Sequence, residues 1–323
     1  MYRIHEKTDT KAYLAVDGLE NQLLQELPAV REIFGRLVLV KEEDLQNPVF
    51  WFANQWQKNY QIEFDSISDC AKALSSIQKN WWPYFSAHAR RGTLIQDALP
   101  YISPKPLVFP GSMHTTYPPL GSWTLIGPNT ALASPICSSP RPHGEWNFAE
   151  DRVGPPSRAY LKLWEVFSRL QMCPKPKEKC LDLGASPGGW TWVLTQLAAR
   201  VIAIDRSPLR EDLMTSPLVQ YQNGNAFSVD LQMHDDVSWL FCDVICYPEK
   251  LYEFFIQKVL PSSIQNAVCT LKFQGSEHYP VIQKFAQIPG GSLMHLTHNK
   301  HELTFVFRRA VHSAVHINKT DLV

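Results

Sequence analysis

The chain has no net charge: 31 Lys and Arg stand against 31 Asp and Glu. Cut at residue 150, its two parts carry −2 and +2. Bulk attraction to a polyanion is therefore excluded, and any nucleic acid has to be met by local patches. No apolar run approaches the length of a membrane span, and the N-terminus has no signal-peptide core. A cytoplasmic protein without a membrane partner is expected. Cysteine is sparse and odd in number. Cys70, Cys137, Cys173, Cys180, Cys242, Cys246 and Cys269 are scattered, mostly inside apolar runs. That pattern reads as reduced, buried thiols and not as a disulfide framework. Cys242 and Cys246 lie close together, but no second pair or His cluster completes a zinc site, so no metal is expected. There is no internal repeat. At 45% hydrophobic and 19% charged residues the composition excludes disorder. A length of 323 residues suits a soluble enzyme of about two domains.

What is present centres on the run CLDLGASPGGWT at 180–191. A short apolar strand with an acidic residue enters a turn holding Gly184, Gly188 and Gly189. A helical stretch follows, then a second strand ending on Asp205. Such a turn lets backbone approach a ligand closely, and an acid after the next strand can bind a ribose diol. An adenosine-containing cofactor is the expectation. The spacing G-x-x-x-G-G, with Pro187 inside it, departs from the dinucleotide pattern G-x-G-x-x-G. Asp182 at the strand end would repel a pyrophosphate and suits a cationic ligand, such as the sulfonium and ammonium of S-adenosylmethionine. The alternatives are a nicotinamide oxidoreductase and an ordinary Gly-Pro turn.

Three regions follow along the chain. Residues 1–75 mix helical and strand-like segments and read as a small α+β unit, with a helix over 18–27, a strand over 37–40 and an apolar run over 49–52. Residues 76–150 are rich in Pro and hold the block WWPYF at 81–85 and the pair Arg90 and Arg91. Short strands are expected at 106–109 and 122–126. From 151 to 323 the pattern becomes regular. An amphipathic helix is expected over 157–170, with Leu161, Trp164, Phe167 and Leu170 on one face. Strands are expected at 180–184, 201–205, 218–222, 237–243, 267–273, 291–297 and 302–308, with helices between several of them, notably at 190–199 and 248–259. This alternation predicts an α/β fold with a mostly parallel sheet, and ligands beyond the carboxyl ends of its strands. The last two strands are separated by a short turn, so the final one should run in reverse.

The segments SRAYLKL at 157–163, DLGASPGGW at 182–190, CDV at 242–244, LKFQG at 271–275 and HELT at 301–304 resemble the FtsJ-like ribose 2′-O-methyltransferases, in that family's order. The similarity is clear over about residues 154–309 and patchy before. Within the family it extends to the bacterial enzymes that methylate a cytidine ribose of large-subunit (23S) ribosomal RNA. The resemblance implies a class I, Rossmann-like methyltransferase domain and a catalytic tetrad of Lys162, Asp243, Lys272 and Glu302. It implies S-adenosyl-L-methionine held by Asp182, Gly184, Ser186, Pro187, Gly188, Gly189, Trp190, Asp205, Asn225 and Asp243. Asn225 stands where relatives often have Asp, and Ser186 where Ala or Cys is common. Each tetrad member has a plain alternative: a solvated helix lysine for Lys162, a helix cap for Asp243, a hairpin ion pair for Glu302. Lys272 is the hardest to explain so, since it interrupts an apolar strand, where an unpaired charge is costly.

In that relative a ferredoxin-like unit and a THUMP RNA-binding module precede the catalytic domain. About 150 residues are short for both, so residues 76–150 are expected to form a reduced module. Arg90, Arg91 and Arg158 are the candidate RNA contacts, while Trp81 and Trp82 are expected in the core. An RNA partner and a monomer or weak dimer are expected. A different RNA target, transfer or messenger, and a non-catalytic RNA-binding relative remain open.

Overall fold

The computed structural model describes residues 1–310; residues 311–323 of the expected catalytic domain lie outside it. The chain before residue 150 builds two sheets. Its strands are β1 (Tyr2–Lys7), β2 (Thr10–Ala15), β3 (Glu32–Phe34), β4 (Leu37–Lys41), β5 (Phe52–Trp56), β6 (Asn59–Phe64), β7 (Trp81–Pro83), β8 (Gly121–Gly127) and β9 (Thr130–Ser134). A four-stranded sheet has the order β3-β4-β2-β5, and a five-stranded sheet the order β1-β6-β9-β8-β7. Helix α1 (Glu20–Glu26) accompanies the first, and α2 (Ile67–Ile77) and α3 (Ala89–Asp97) the second. Ser66 starts α2 as an N-cap, its hydroxyl accepting from the Asp69 amide.

The five-stranded sheet takes strands from both sides of residue 75. The expected division there falls inside one sheet, because the β6–β9 and β8–β9 ladders tie 59–64 to 121–134. The strand expected over 122–126 is the middle of β8. The one expected over 106–109 is reduced to a single bridge between Leu107 and Phe148, since its three prolines in 104–110 remove ladder donors. As expected, Trp81 is core: it is fully buried and its indole N–H donates to the Leu74 and Gln78 carbonyls.

The remainder forms α4 (Tyr160–Leu170), β10 (Lys179–Leu183), α5 (Gly189–Gln196), β11 (Arg200–Asp205), α6 (Glu211–Met214), β12 (Val219–Asn223), β13 (Trp239–Cys242), α7 (Pro248–Phe254), β14 (Asn266–Lys272), α8 (Pro280–Ala286), β15 (Gly291–Met294) and β16 (Glu302–Arg308). Their sheet has the order β12-β11-β10-β13-β14-β16-β15. The pairs from β12 to β14 are parallel, and β16 is antiparallel to both neighbours. The reversed strand is thus the last in sequence but lies inside the edge. β15 stops at Met294, short of the expected 297, because residues 295–301 leave the ladder as a loop. Strands such as β13, WLFC, are apolar on both faces because helices cover both.

Two of the contacts between the parts bear on the site. Trp51 leaves the four-stranded sheet and sits, fully buried, among Phe273, Tyr279, His295 and His301 beside the seven-stranded sheet. Glu26 of α1 fixes that segment by accepting from the Phe50 and Trp51 amides at 2.7 and 3.0 Å. The second contact covers α4. Phe109 stacks on Trp164, Phe148 meets it edge-on, and the Ser112 and Ser168 hydroxyls bond at 2.7 Å. Helix α4 is therefore buried almost all round, and the expected solvent face is missing. All seven cysteines are free thiols.

Candidate active site

The carboxyl edge of the large sheet places the glycine turn, the ends of β11 and β13, and the end of β14 around one cavity of about 400 Å³. Gly184 and Gly188 carry φ of +72° and +111°, in the left-handed region that L side chains avoid. A Cβ on Gly184 would also lie 2.6 Å from the Val244 side chain. Asp182, Gly184, Ser186, Pro187, Gly189, Trp190, Asp205 and Asp243 all line this cavity, together with Lys272. Gly188 shapes the turn behind it. Asn225 lines an adjoining cavity of about 270 Å³ that shares Gly184 and Asp205 with the first. Its side-chain oxygen caps the next turn by accepting from the Phe227 amide.

Three carboxylates thus face one cavity. Asp182 is buried, accepts from the Thr191 hydroxyl at 2.6 Å, and burial pushes its carboxyl up to about 7. Asp205 accepts from the Ser186 and Ser207 amides, which fixes its carboxylate against the glycine turn. Trp190 donates to the Ala159 carbonyl and so ties α5 to the start of α4. The donor set fits a ligand with positive charge and a diol, and it has no place for a pyrophosphate.

Lys162, Asp243, Lys272 and Glu302 come from four separate stretches and meet at the rim of this cavity. The Lys272 ammonium donates to the Asp243 carbonyl oxygen at 2.7 Å and forms an ion pair with its carboxylate at 2.9 Å. Lys162 lies 2.5 Å from Glu302 and 3.6 Å from Asp243. Lys272 and Glu302 stand opposite each other in the β14–β16 ladder. Two cations and two anions alternate, so little net charge is left to desolvate. Lys162 is 8% exposed, as is Glu302, which removes the solvated-lysine alternative.

The sequence did not single out Glu165, three residues after Lys162. It is 0% exposed, and its two oxygens accept from the Thr297 amide at 3.1 and 2.9 Å. Arg169 pairs with it at 2.5 Å. Burial pushes the Glu165 carboxyl upward, and Arg169 and Thr297 oppose the shift. This contact fastens the 295–301 loop, which leads into Glu302, onto the helix that carries Lys162. Asn299 completes the anchor by donating to the Glu302 carbonyl at 3.2 Å. The available signal was an acid on an apolar helix with an arginine four residues on.

The arginines are not gathered at the cavity. Arg91 donates to Asn129 and lies over the Phe64 ring, Arg158 pairs with Glu150 at 2.7 Å, and Arg90 is exposed on α3. Among the described residues no group of His, Cys, Asp and Glu could hold a metal ion, and no helix is long and apolar enough to cross a membrane.

Seven strands in this order, with the sixth in space reversed, make a class I methyltransferase fold. The FtsJ-like methyltransferase family matches residues 155–278. A ribosomal RNA large subunit methyltransferase M from Halorhodospira halophila is 34% identical over 162 residues, 48% of this chain and 47% of that protein. The chain thus spans about half the length of that relative. Proteins of the same name from Marinomonas sp. and Xanthomonas euvesicatoria pv. vesicatoria are 29% and 30% identical over 263 and 260 residues. Those matches cover 75% of this chain and 69% and 70% of the two relatives. The chain belongs to the ribosomal RNA large subunit methyltransferase M family, within the FtsJ-like methyltransferases.

Proposed function

We propose that the chain transfers a methyl group from S-adenosyl-L-methionine to the 2′-hydroxyl of a ribose in large-subunit ribosomal RNA, at a cytidine, in the cytoplasm. The observation that carries this reading is the alternating Lys162–Asp243–Lys272–Glu302 cluster at the rim of an acidic cavity. Asp205 would take the cofactor's ribose diol, Asp182 would face its cationic end, and Asn225 would meet the adenine. When bound, the cofactor supplies an electrophilic methyl group.

The chain's own residues handle the hydroxyl. An amine nitrogen has three positions besides its carbon in the ammonium form. The Asp243 carbonyl takes one of them on Lys272, and the Asp243 carboxylate lies beside the nitrogen as an ion-pair partner. A free position is left for the ribose hydroxyl, and it is the position that receives the hydroxyl's proton when the nitrogen has lost its own. Asp243 holds that nitrogen in place, while Lys162 and Glu302 fix Asp243 and the hairpin. Orientation of this kind supplies several kcal/mol of the barrier without a strong base. The test is incubation with labelled cofactor and ribosomal RNA from cells lacking the activity, followed by mapping of the methylated nucleotide. Incorporation into a ribose supports the reading, and incorporation into a base refutes it.

A further inference from the structure

A second cavity, of about 410 Å³, is as large as the first and opposite to it in character. It lies where the chain before residue 150 meets the catalytic domain. Phe52, Tyr117 and Trp146 line it from the first part, and Arg169, Leu293 and Met294 from the second. Three carboxylates face the first cavity. No Asp or Glu lines the second among the described residues.

The aromatic and cationic groups here are arranged in series. Tyr117 and Trp146 meet edge to face, 5.6 Å between ring centres and 85° between planes. The Arg141 guanidinium lies 5.4 Å from the Tyr117 ring and the Arg169 guanidinium 5.8 Å from the Trp146 ring. Arg169 sits seven residues beyond Lys162 on α4, about 10 Å along the helix axis. The chain has no net charge, so affinity for a polyanion has to come from such a local place.

We propose that this second cavity takes a nucleotide of the substrate RNA other than the methylated one, with its base among Tyr117, Trp146 and Phe52 and its phosphate toward Arg141 and Arg169. Aromatic walls with guanidinium groups beside them suit an unstacked base and its phosphate; Arg169 keeps one nitrogen on Glu165, and its Nε–H has no partner among the described residues. The inference rests on the ribosomal RNA reading above and adds where the RNA is gripped.

The test is filter binding of the full chain to protein-free large-subunit ribosomal RNA from cells lacking the activity. Tyr117→Ala removes a wall of the cavity. Thr116→Glu, at an exposed lining residue, brings a negative charge to its mouth without touching the core. Both should weaken RNA binding roughly tenfold or more, the scale of one base–aromatic contact. Tyr117→Phe should retain it. S-adenosylhomocysteine should raise the melting temperature of all three variants as it does the wild type, which shows that the catalytic domain is folded. Wild-type RNA affinity in both Tyr117→Ala and Thr116→Glu overturns the proposal. Failure of the methyltransfer reading is seen separately, as a wild type that binds this RNA but puts no methyl group on a ribose.

Discussion

Glu165→Ala tests how the site is held together. The substitution leaves the Thr297 amide and the Arg169 guanidinium without their acceptor. A buried donor stripped of its partner costs about 1–3 kcal/mol, and breaking a buried ion pair from one side costs about 3–5 kcal/mol. The two overlap, and the Arg169 side chain is 21% exposed, so water recovers part of the loss. A net cost of about 3–4 kcal/mol follows. At about 2–4 °C per kcal/mol for a domain of this size, the melting temperature falls by roughly 6–16 °C. Glu165→Gln keeps one oxygen for Thr297 but turns an amide N–H₂ toward Arg169, so an intermediate fall is expected. Turnover measured well below the melting temperature should also drop in Glu165→Ala, because the 295–301 loop leads into Glu302. The melting shift given by S-adenosylhomocysteine should stay, because Glu165 lines no part of the cofactor cavity. An alanine variant that melts within about 2 °C of wild type refutes the energetic argument. Unchanged turnover refutes the link from this loop to the tetrad.

Lys272→Ala should lose about 10²–10⁴-fold in methyl transfer while keeping the S-adenosylhomocysteine melting shift; near-normal turnover would remove Lys272 from the chemistry. The Asp182 carboxyl, raised to about 7 by burial, keeps a proton in the folded chain that the unfolded chain has lost. Ligand-free stability therefore falls as pH rises from about 4 to about 7, and Asp182→Asn should flatten that fall. A cationic cofactor pulls the other way, so its affinity should rise with pH in the wild type and not in Asp182→Asn; calorimetric affinities across this interval check both. Trp51→Ala, at a fully buried position, should cost about 3–5 kcal/mol in denaturant unfolding, and Trp51→Phe should recover most of it.

What the sequence makes legible here is short-range. The glycine turn, the acid at the end of the next strand and the alternation of strands and helices depend on a few neighbouring residues. Those expectations match the architecture from β10 to β14. Where the structure departs, the cause lies far away in the chain. Helix α4 has an amphipathic sequence but no solvent face, because Phe109, Ser112 and Phe148 cover it from more than ten residues upstream. The division at residue 75 fails because β9 lies between β6 and β8, and no local signal in 59–64 points to 130–134. Glu165 and Thr297 are 132 positions apart, and only the folded chain makes them neighbours.

The same distance problem is solved at the tetrad by register. β16 pairs with β14 so that Glu302 stands opposite Lys272. Side chains alternate between faces along a strand, so a slip of one residue would turn Glu302 away from Lys162. Apolar pairing alone restrains such a slip weakly, because β16 is buried on both faces and either parity would place apolar groups inside. The loop before it supplies what the ladder lacks. Glu165 holds Thr297, Asn299 holds the Glu302 carbonyl and the Thr304 hydroxyl, and the His295 ring meets the Lys300 carbonyl at 3.0 Å. Burial holds His295 down to about 4, so it makes this contact as a neutral ring at physiological pH. These polar anchors act on the start of β16, the end that carries Glu302. The residues that set the geometry of the acid are therefore found in the loop and on α4, and their loss should appear first as misplacement of Glu302 relative to Lys162.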